Sequence, residues 1–254
     1  MTIKTLDDGT SYTKAHAHDW EDPECTLKGE CKIYIKVDGI RAIRNKSNGV
    51  WSRNSKPLPH LNHLHFSDAE IFRNSWGETS SILGSNAAPA VPLTQENVYE
   101  LSDGNIDPRL YLGWAKDPSN ANLEQAMLKM LKLGHEGLIV RCKDKKGRIL
   151  WWKIVPYKYA DVKVTGFKEG TNKNKGMCGS IATNYGSAGS MVADCLVDHG
   201  IKGDANIRKW LWEHRAELLG KIIQVRYREK TELGKFRFPS LVRLRTDKSE
   251  ESFD

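Results

Sequence analysis

Residues 36–41, which read Lys-Val-Asp-Gly-Ile-Arg, have the residue types and spacing needed for chemistry on a phosphate. A lysine amine becomes a nucleophile when neighbouring cations or loss of water lower its pKa. Arg41 follows Lys36 closely enough for its planar guanidinium to grip a phosphate near the same point. Taken alone, these residues also suit an ordinary hairpin with a solvated lysine, because charged side chains mostly lie in solvent.

Short strands must position this lysine. Residues 32–37 alternate in polarity, Asp38 and Gly39 break the pattern, and residues 40–44 resume it, which predicts a hairpin with Lys36 near its turn. Residues 137–141 and 150–155 are apolar runs typical of buried strands, and apolar spacing over residues 123–133 predicts a helix. Residues 74–95 are rich in Ser, Asn, Ala, Gly and Pro, so we expect a loop there.

The pattern of predicted strands and turns changes near residue 161. Beyond it, several short strands, glycine-rich turns and a helix at about residues 205–219 suit a small β-barrel such as an OB-fold. We therefore expect a first domain over residues 1–161 and a second domain over residues 162–254.

The bulk properties limit the classes of protein. The net charge of +7 favours a polyanionic partner, although many basic proteins bind no nucleic acid. The five cysteines include no Cys-x-x-Cys pair, so we expect neither a disulfide framework nor a zinc ribbon. A reducing compartment fits these cysteines best. The N-terminal residues lack an apolar signal core, and no run is long enough to span a membrane. These features predict a soluble, cytoplasmic protein without a signal peptide.

Residues 36–41 match the pattern KxDGxR, and further segments follow it in a fixed order. They are Ser52-Arg53-Asn54-Ser55, Asp68-Ala69-Glu70-Ile71-Phe72, Asn97-Val98-Tyr99-Glu100-Leu101, Glu136-Gly137-Leu138-Ile139-Val140-Arg141, Trp152-Lys153-Ile154 and the ending at residues 238–248. In this order the segments resemble the motifs of ATP-dependent DNA ligases within the covalent nucleotidyltransferases. The resemblance covers about residues 30–248 and is closest to small viral and bacterial ligases without an extra DNA-binding domain.

This resemblance implies an α+β fold, in which an adenylation (nucleotidyltransferase) domain of antiparallel sheets with helices precedes an OB-fold barrel. It implies that Lys36 is the catalytic nucleophile, that Tyr99 stacks on adenine, and that the ending orients the β- and γ-phosphates. The implied ATP and AMP contacts are Ile35, Lys36, Arg41, Arg53, Glu70, Tyr99, Lys153, Lys158, Arg245 and Lys248. The implied metal ligands are Glu136, Glu70 and Asp38.

The chain departs from the family at two positions beside the nucleotide. Val155 stands where many members have a second lysine, and Lys158 is the nearest replacement. Tyr34 stands where many members have a glutamate that reads the adenine amino group, so adenine selection falls to backbone groups near Ile35.

The implied function is ATP-dependent sealing of nicked duplex DNA by a monomer, with Mg²⁺ as cofactor and Mn²⁺ able to replace it. Basic residues would contact DNA phosphates without reading sequence; they are Lys143, Lys145, Lys146, Arg148, Lys173 and Lys175. Two alternatives stay open. One is an RNA ligase or capping-type nucleotidyltransferase using the same lysine, and the other is a non-catalytic nucleic-acid binder with an OB module.

Overall fold

The structure is a computed structural model that describes residues 2–6, 9–14, 18–20, 27–85, 87, 89–102, 105–143, 147, 149–192 and 195–253. The chain forms two compact units, residues 1–155 and 156–254. The change between units falls shortly before the boundary expected at residue 161, because the first long strand of the second unit already begins at Lys158.

The first unit contains twelve strands and two α-helices within its described residues. The strands are β1 (Thr2–Thr5), β2 (Ser11–Lys14), β3 (His18–Asp19), β4 (Glu30–Lys36), β5 (Ile40–Arg44), β6 (Val50–Ser52), β7 (Asp68–Ile71), β8 (Val98–Ser102), β9 (Asn105–Ile106), β10 (Tyr111–Lys116), β11 (Gly137–Lys143) and β12 (Ile149–Ile154). The helices are α1 (Trp76–Gly84) and α2 (Asn120–Lys132).

The first unit contains two five-stranded sheets, with strand orders β10-β4-β11-β12-β3 and β6-β5-β7-β8-β9. Strands β1 and β2 form a separate two-stranded sheet. The predicted hairpin of residues 32–44 is therefore wrong. Strand β4 pairs with β10 and β11, whereas β5 pairs with β6 and β7. Alternating polarity identified both strands, but it does not specify the partner of either strand. Asp38 and Gly39 instead carry the chain from one sheet to the other.

Each of these sheets has a hydrophobic core of its own. The predicted helix near residues 123–133 is α2, whose Leu123, Met127 and Met130 pack against the inner face of β4, β11 and β12. The loop expected at residues 74–95 is wrong in part, because α1 lies within it. Its N-cap hydroxyl, Ser75 Oγ, accepts a hydrogen bond from the Glu78 amide at 3.1 Å, and Leu83 is buried one turn beyond Thr79.

A disulfide joins Cys31 to Cys142 at directly paired positions of β4 and β11. The expectation of a chain without disulfides is therefore wrong. The two cysteines lie 111 residues apart in sequence, so only the pairing of their strands brings them together. Disulfides persist in oxidising surroundings, so the cysteine count no longer supports a reducing compartment. Among the described cysteines, Cys178 and Cys195 are buried and lie outside this disulfide.

The second unit is a mostly antiparallel sheet with helices packed on it, which agrees with the expected strand-rich second domain. Its described strands have the order β15-β14-β13-β17-β18-β16, with β19 beside β13. They are β13 (Lys158–Glu169), β14 (Cys178–Thr183), β15 (Gly186–Ala188), β16 (Ser190–Met191), β17 (Ile222–Tyr227), β18 (Ser240–Leu244) and β19 (Ser252–Phe253). The helix expected near residues 205–219 is divided into α3 (Asp204–Glu213) and α4 (Arg215–Leu218).

The described part of the chain confirms the α+β class with mainly antiparallel sheets. Only β3 with β12 and β16 with β18 pair in parallel among the described strands. None of the described helices combines the length and apolar composition that a membrane crossing requires.

Candidate active site

Lys36 is the last residue of β4, an interior strand that lies between β10 and β11. Its Nζ donates a hydrogen bond to Oε2 of Glu136, and the Glu136 amide donates to the Lys36 carbonyl at 3.1 Å. Gly137 lies directly opposite Lys36 in the β4–β11 ladder. A Cβ on Gly137 would lie 2.3 Å from the Ile154 carbonyl oxygen, and the residue has a φ of +143°. Only glycine therefore fits beside the lysine.

Gly39 makes the crossing between the sheets unusually close. A Cβ on Gly39 would lie 2.3 Å from the carbonyl oxygen of Ile71 and 2.8 Å from Cγ of Glu70. The backbone after Lys36 thus presses directly against β7. This contact explains why glycine stands at position 39, and it brings Lys36 of one sheet beside Glu70 of the other.

Arg41, Glu70 and Tyr99 form a row across the second sheet. Arg41 of β5 is paired with Glu70 of β7, which is paired with Tyr99 of β8. Directly paired residues of antiparallel strands share a face, so the three side chains point to the same side. The Arg41 guanidinium also donates two hydrogen bonds to the Asp68 carboxylate, with Nε 2.8 Å from Oδ1 and Nη2 2.5 Å from Oδ2.

The titration of Glu70 is displaced by its surroundings. Burial raises the pKa of its carboxyl from an ordinary value of 4.5 to about 7. The positive charges of Lys36, Arg41 and Arg53 oppose this shift without cancelling it, and the negative charge of Asp38 adds to it. The predicted residues Lys36, Asp38, Arg41, Arg53, Glu70 and Glu136 therefore lie within electrostatic or hydrogen-bonding reach of one another.

Lys153 lies on the same face of the first sheet as Lys36. The ladders connect Lys36 to Gly137 and Ile139 to Lys153, and residues two apart along β11 share a face. Val155 follows two positions later and is fully buried, which suits valine better than it would suit a lysine. Ile35 points to the opposite face and packs in the core beside α2. Only its backbone can therefore contribute to the site.

Tyr34, which stands where the family motif has a glutamate, lies among aromatic and cationic side chains. Its ring centroid is 5.5 Å from that of Tyr111, and the Arg141 guanidinium carbon is 5.9 Å from the Tyr34 ring. The same guanidinium lies 4.2 Å from the ring of Trp151. Tyr34 shares the face of β4 that carries Lys36, so an aromatic ring lies on this face where the family motif has a carboxylate.

The basic residues of the C-terminal motif converge on Asp161 in the second unit. Arg245 Nη1 lies 2.9 Å from each carboxylate oxygen, and Lys248 Nζ lies 2.5 Å from Oδ2. Burial raises the pKa of Asp161, but hydrogen bonds from Lys248 and Ser252 and the charge of Arg245 outweigh this effect and lower the pKa below its ordinary range. Asp161 thus holds Arg245 and Lys248 close together in the second unit.

The remaining predicted residues are distributed over exposed segments. Lys158 begins β13 in the second unit, Lys143 ends β11, and both are exposed. Lys173 and Lys175 lie exposed at a turn between β13 and β14. The predicted DNA contacts Lys145, Lys146 and Arg148 lie outside the described residues.

Three residues that contact predicted site residues were not themselves predicted as site residues. Asp68 belongs to a recognised motif, but its pairing with Arg41 depends on the β5–β7 register. Asp161 is the one carboxylate in an otherwise apolar stretch of β13, which was a signal for a buried pair. Arg109 follows Asp107 in a short turn, and its guanidinium carbon lies 4.4 Å from the Tyr99 ring centroid.

Solved structures with a similar fold include DNA ligases. A structure described as "Pmar-Lig_Pre." matches with a TM-score of 0.58 and 20% identity, over 91% of this chain and 67% of that chain. "Pmar-Lig_PreS3" matches with a TM-score of 0.55 and 19% identity, over 95% and 67%. A structure described as "DNA binding with a minimal scaffold: Structure-function analysis of Lig E DNA ligases" matches with a TM-score of 0.55 and 18% identity, over 96% and 100%.

These likenesses confirm, at the level of the fold, the resemblance to ATP-dependent DNA ligases that the motifs indicated. At these identities they establish the fold alone. No protein-family model matches the sequence, and no curated protein matches it.

Proposed function

We propose that the chain is an ATP-dependent DNA ligase that seals nicks in duplex DNA through a lysyl–AMP intermediate. The observation that carries this proposal is the position of Lys36. Its Nζ is hydrogen-bonded to Glu136, and Glu70, Arg41 and Arg53 lie close by, at the crossing between two sheets. A nucleophile beside both carboxylates and cations is what attack on a nucleoside triphosphate requires.

In the first step the Lys36 amine attacks the α-phosphorus of ATP. A nitrogen–phosphorus bond forms, the bond from the α-phosphorus to the bridging oxygen breaks, and pyrophosphate leaves. Nζ must lose a proton to react, and its hydrogen bond to Oε2 of Glu136 marks the route for that proton. Arg41 and Lys153 supply positive charge near the phosphates as negative charge builds there.

In the second step the 5′-phosphate of the nick attacks the adenylate, AMP passes to DNA, and Lys36 recovers its amine. In the third step the 3′-hydroxyl attacks the activated phosphate, a phosphodiester bond forms and AMP leaves. Residues 1–161 would act as the nucleotidyltransferase domain and residues 162–254 as the OB-fold domain. Arg245 and Lys248 of the latter, with Lys158, would serve the triphosphate.

A divalent metal, Mg²⁺ or Mn²⁺, fits the donor set around Lys36. Mg²⁺ in phosphoryl-transfer sites is usually held by one or two carboxylates with water and the substrate phosphates. Glu136 and Glu70 are carboxylates of that kind, with Asp38 nearby. No group of three or more metal-binding side chains is found among the described residues, so phosphate and water would complete the shell. When bound, the ion supplies charge neutralisation on the departing phosphates.

Nicked duplex DNA is the proposed partner, bound by a monomer. The exposed lysines Lys143, Lys173 and Lys175 would contact phosphates, together with Lys145, Lys146 and Arg148. Such contacts release counterions, so binding should weaken steeply between low and moderate salt. Binding of a nicked duplex that does not change over that range would exclude them as the main source of affinity.

The central test is sealing of a nicked DNA duplex with ATP and Mg²⁺, together with labelling of the protein by ATP radiolabelled at the α-phosphate. Lys36→Ala should abolish the labelled band and sealing. Lys32→Ala is the matched control, because Lys32 is exposed on the same strand and the same face. Normal labelling of Lys36→Ala, or equal loss in Lys32→Ala, would overturn the assignment of the nucleophile.

The same assays separate the alternatives. Labelling by GTP in preference to ATP would indicate a capping-type nucleotidyltransferase. Labelling by ATP with sealing of RNA nicks but not DNA nicks would indicate an RNA ligase. Nucleic-acid binding without any nucleotide adduct would indicate a non-catalytic binder.

A further inference from the structure

Arg109 is held on Tyr99 by an unusually complete set of hydrogen bonds. Its Nε lies 2.9 Å from Oδ1 of Asp107, and its Nη2 lies 2.5 Å from Oδ2. Its Nη1 donates to the Glu96 carbonyl at 3.0 Å, and Nη2 also donates to the Val98 carbonyl. All three guanidinium nitrogens are thus bound to groups other than the Tyr99 ring, whose centroid lies 4.4 Å from the guanidinium carbon.

Asp107 is itself fixed, so the guanidinium cannot easily move. Its side chain is 10% exposed, its backbone amide donates to the Glu100 carbonyl at 2.9 Å, and its Oδ1 accepts the Arg109 amide at 2.9 Å. The hydrogen bond from Arg109 also lowers the pKa of Asp107, so the pair remains ionised at neutral pH. The charge of Arg109 is therefore neutralised locally, and its effect on Tyr99 is mainly one of position.

Tyr99 is in turn paired with Glu70, which lies beside Lys36. We propose that Arg109, held by Asp107, is a positioning residue that fixes the Tyr99 ring as the stacking surface for the purine base of ATP. This inference rests on the proposed function. Tyr99 is only partly buried, so its ring keeps surface for a base. A ring that is already fixed loses less conformational freedom when the base stacks on it.

The test measures the rate of enzyme–AMP formation against ATP concentration. Arg109→Met and Asp107→Asn should raise the KM for ATP by about two- to tenfold, the range expected from a lost cation–π contact. The maximal rate should stay within about twofold, because neither residue touches the reacting phosphates. Arg109→Lys should resemble Arg109→Met, since lysine keeps the charge but not the planar set of hydrogen bonds.

Arg44 provides a matched control elsewhere in the same unit. Its guanidinium lies 5.2 Å from the Phe66 ring and donates to the carbonyls of Phe66 at 3.1 Å and Asn48 at 2.8 Å. Arg44→Met removes the same kind of contact from an aromatic ring of the core. It should lower the unfolding temperature without changing the KM for ATP.

A double-mutant cycle completes the design. If Arg109 acts through Tyr99, Arg109→Met should raise the KM no further in a Tyr99→Leu background. An unchanged KM in Arg109→Met, a KM restored by Arg109→Lys, additive effects in the double variant, or an equal rise in Arg44→Met would each overturn the inference. Failure of the wild-type protein to form an adenylate would instead refute the proposed function.

Discussion

Lys36 and Glu136 are joined twice, once through their side chains and once through their backbones. Nζ of Lys36 donates to the Glu136 carboxylate, and the Glu136 amide donates to the Lys36 carbonyl at 3.1 Å. The backbone bond continues the β4–β11 ladder and does not depend on the carboxylate. The chemical role of Glu136 can therefore be removed while the strand pairing that places Lys36 is kept.

We predict that Glu136→Gln lowers the rate of enzyme–AMP formation by roughly 10²-fold, a typical loss for a group that stabilises charge in a transition state. Glutamine has nearly the same shape but neither takes up a proton from Lys36 nor offers a charged ligand to a metal. Quench-flow labelling with ATP measures the rate. Glu30→Gln is the control, because Glu30 is exposed on the same strand as Lys36. A rate within threefold of wild type in Glu136→Gln would contradict the prediction.

Two glycines beside the site leave no room for a side chain. A Cβ on Gly39 or on Gly137 would lie 2.3 Å from a backbone carbonyl oxygen. We predict that Gly39→Ala and Gly137→Ala each lower the free energy of unfolding by about 2–3 kcal/mol, since the backbone must shift to admit the methyl group. Urea unfolding measures this change. In Gly77→Ala the nearest atom would be 3.8 Å away, so this helix variant should be at least as stable as wild type.

The raised pKa of Glu70 predicts a specific dependence of stability on pH. The folded state holds the proton up to about pH 7, whereas the unfolded chain releases it near the ordinary value of 4.5. Stability relative to Glu70→Gln should therefore be constant below about pH 4.5, decline as the pH rises to about 7, and then stay level. Glu70→Gln should be the more stable protein at pH 8, although it should adenylate more slowly. Denaturant melts at several pH values in EDTA test this, and parallel curves for the two proteins would refute it.

The sequence predicts features that depend on residues close together in the chain, and it does not predict contacts between residues far apart in the chain. The strands around Lys36 and the helix α2 follow from local alternation and helical spacing, and both occur where the patterns indicate them. The order of the motifs also indicated the fold. In contrast, the predicted hairpin was wrong. Alternation in polarity indicates that a segment forms a strand, but it does not indicate which strand pairs with it.

Interactions between distant segments could not be predicted either, because the sequence pattern does not specify which strands pair or in which register. Cys31 meets Cys142 only because β4 and β11 pair in a register that places them opposite each other. The network of Arg109 and Tyr99 depends on backbone carbonyls of Glu96 and Val98, whose positions no residue pattern encodes. The order of the motifs therefore indicated candidate site residues, while the partners of those residues required the sheet registers.

Asp161 holds the basic residues of the C-terminal motif together. Its side chain is 4% exposed and pairs with Arg245 and Lys248, whereas Asp247 pairs with the same arginine at 2.7 Å but is 64% exposed. Removing one partner of a buried ion pair leaves the other charge uncompensated. Asp161→Asn should therefore lower the free energy of unfolding at pH 7 by roughly 3 kcal/mol. Asp247→Asn should have a much smaller effect, because water screens the exposed pair.

The pH dependence of Asp161→Asn follows from the lowered pKa of the wild-type carboxyl. Asp161 contributes its full stability above the ordinary aspartate pKa, and this contribution is lost as the pH falls through the lower, folded value. The difference between wild type and Asp161→Asn should therefore be constant from pH 7 to about pH 4 and should shrink in more acidic solution. If the two aspartate variants are equally stable at pH 7, Asp161 does not hold Arg245 and Lys248 in place. A difference from wild type that grows in acid would show that the carboxyl is not stabilised in its charged form.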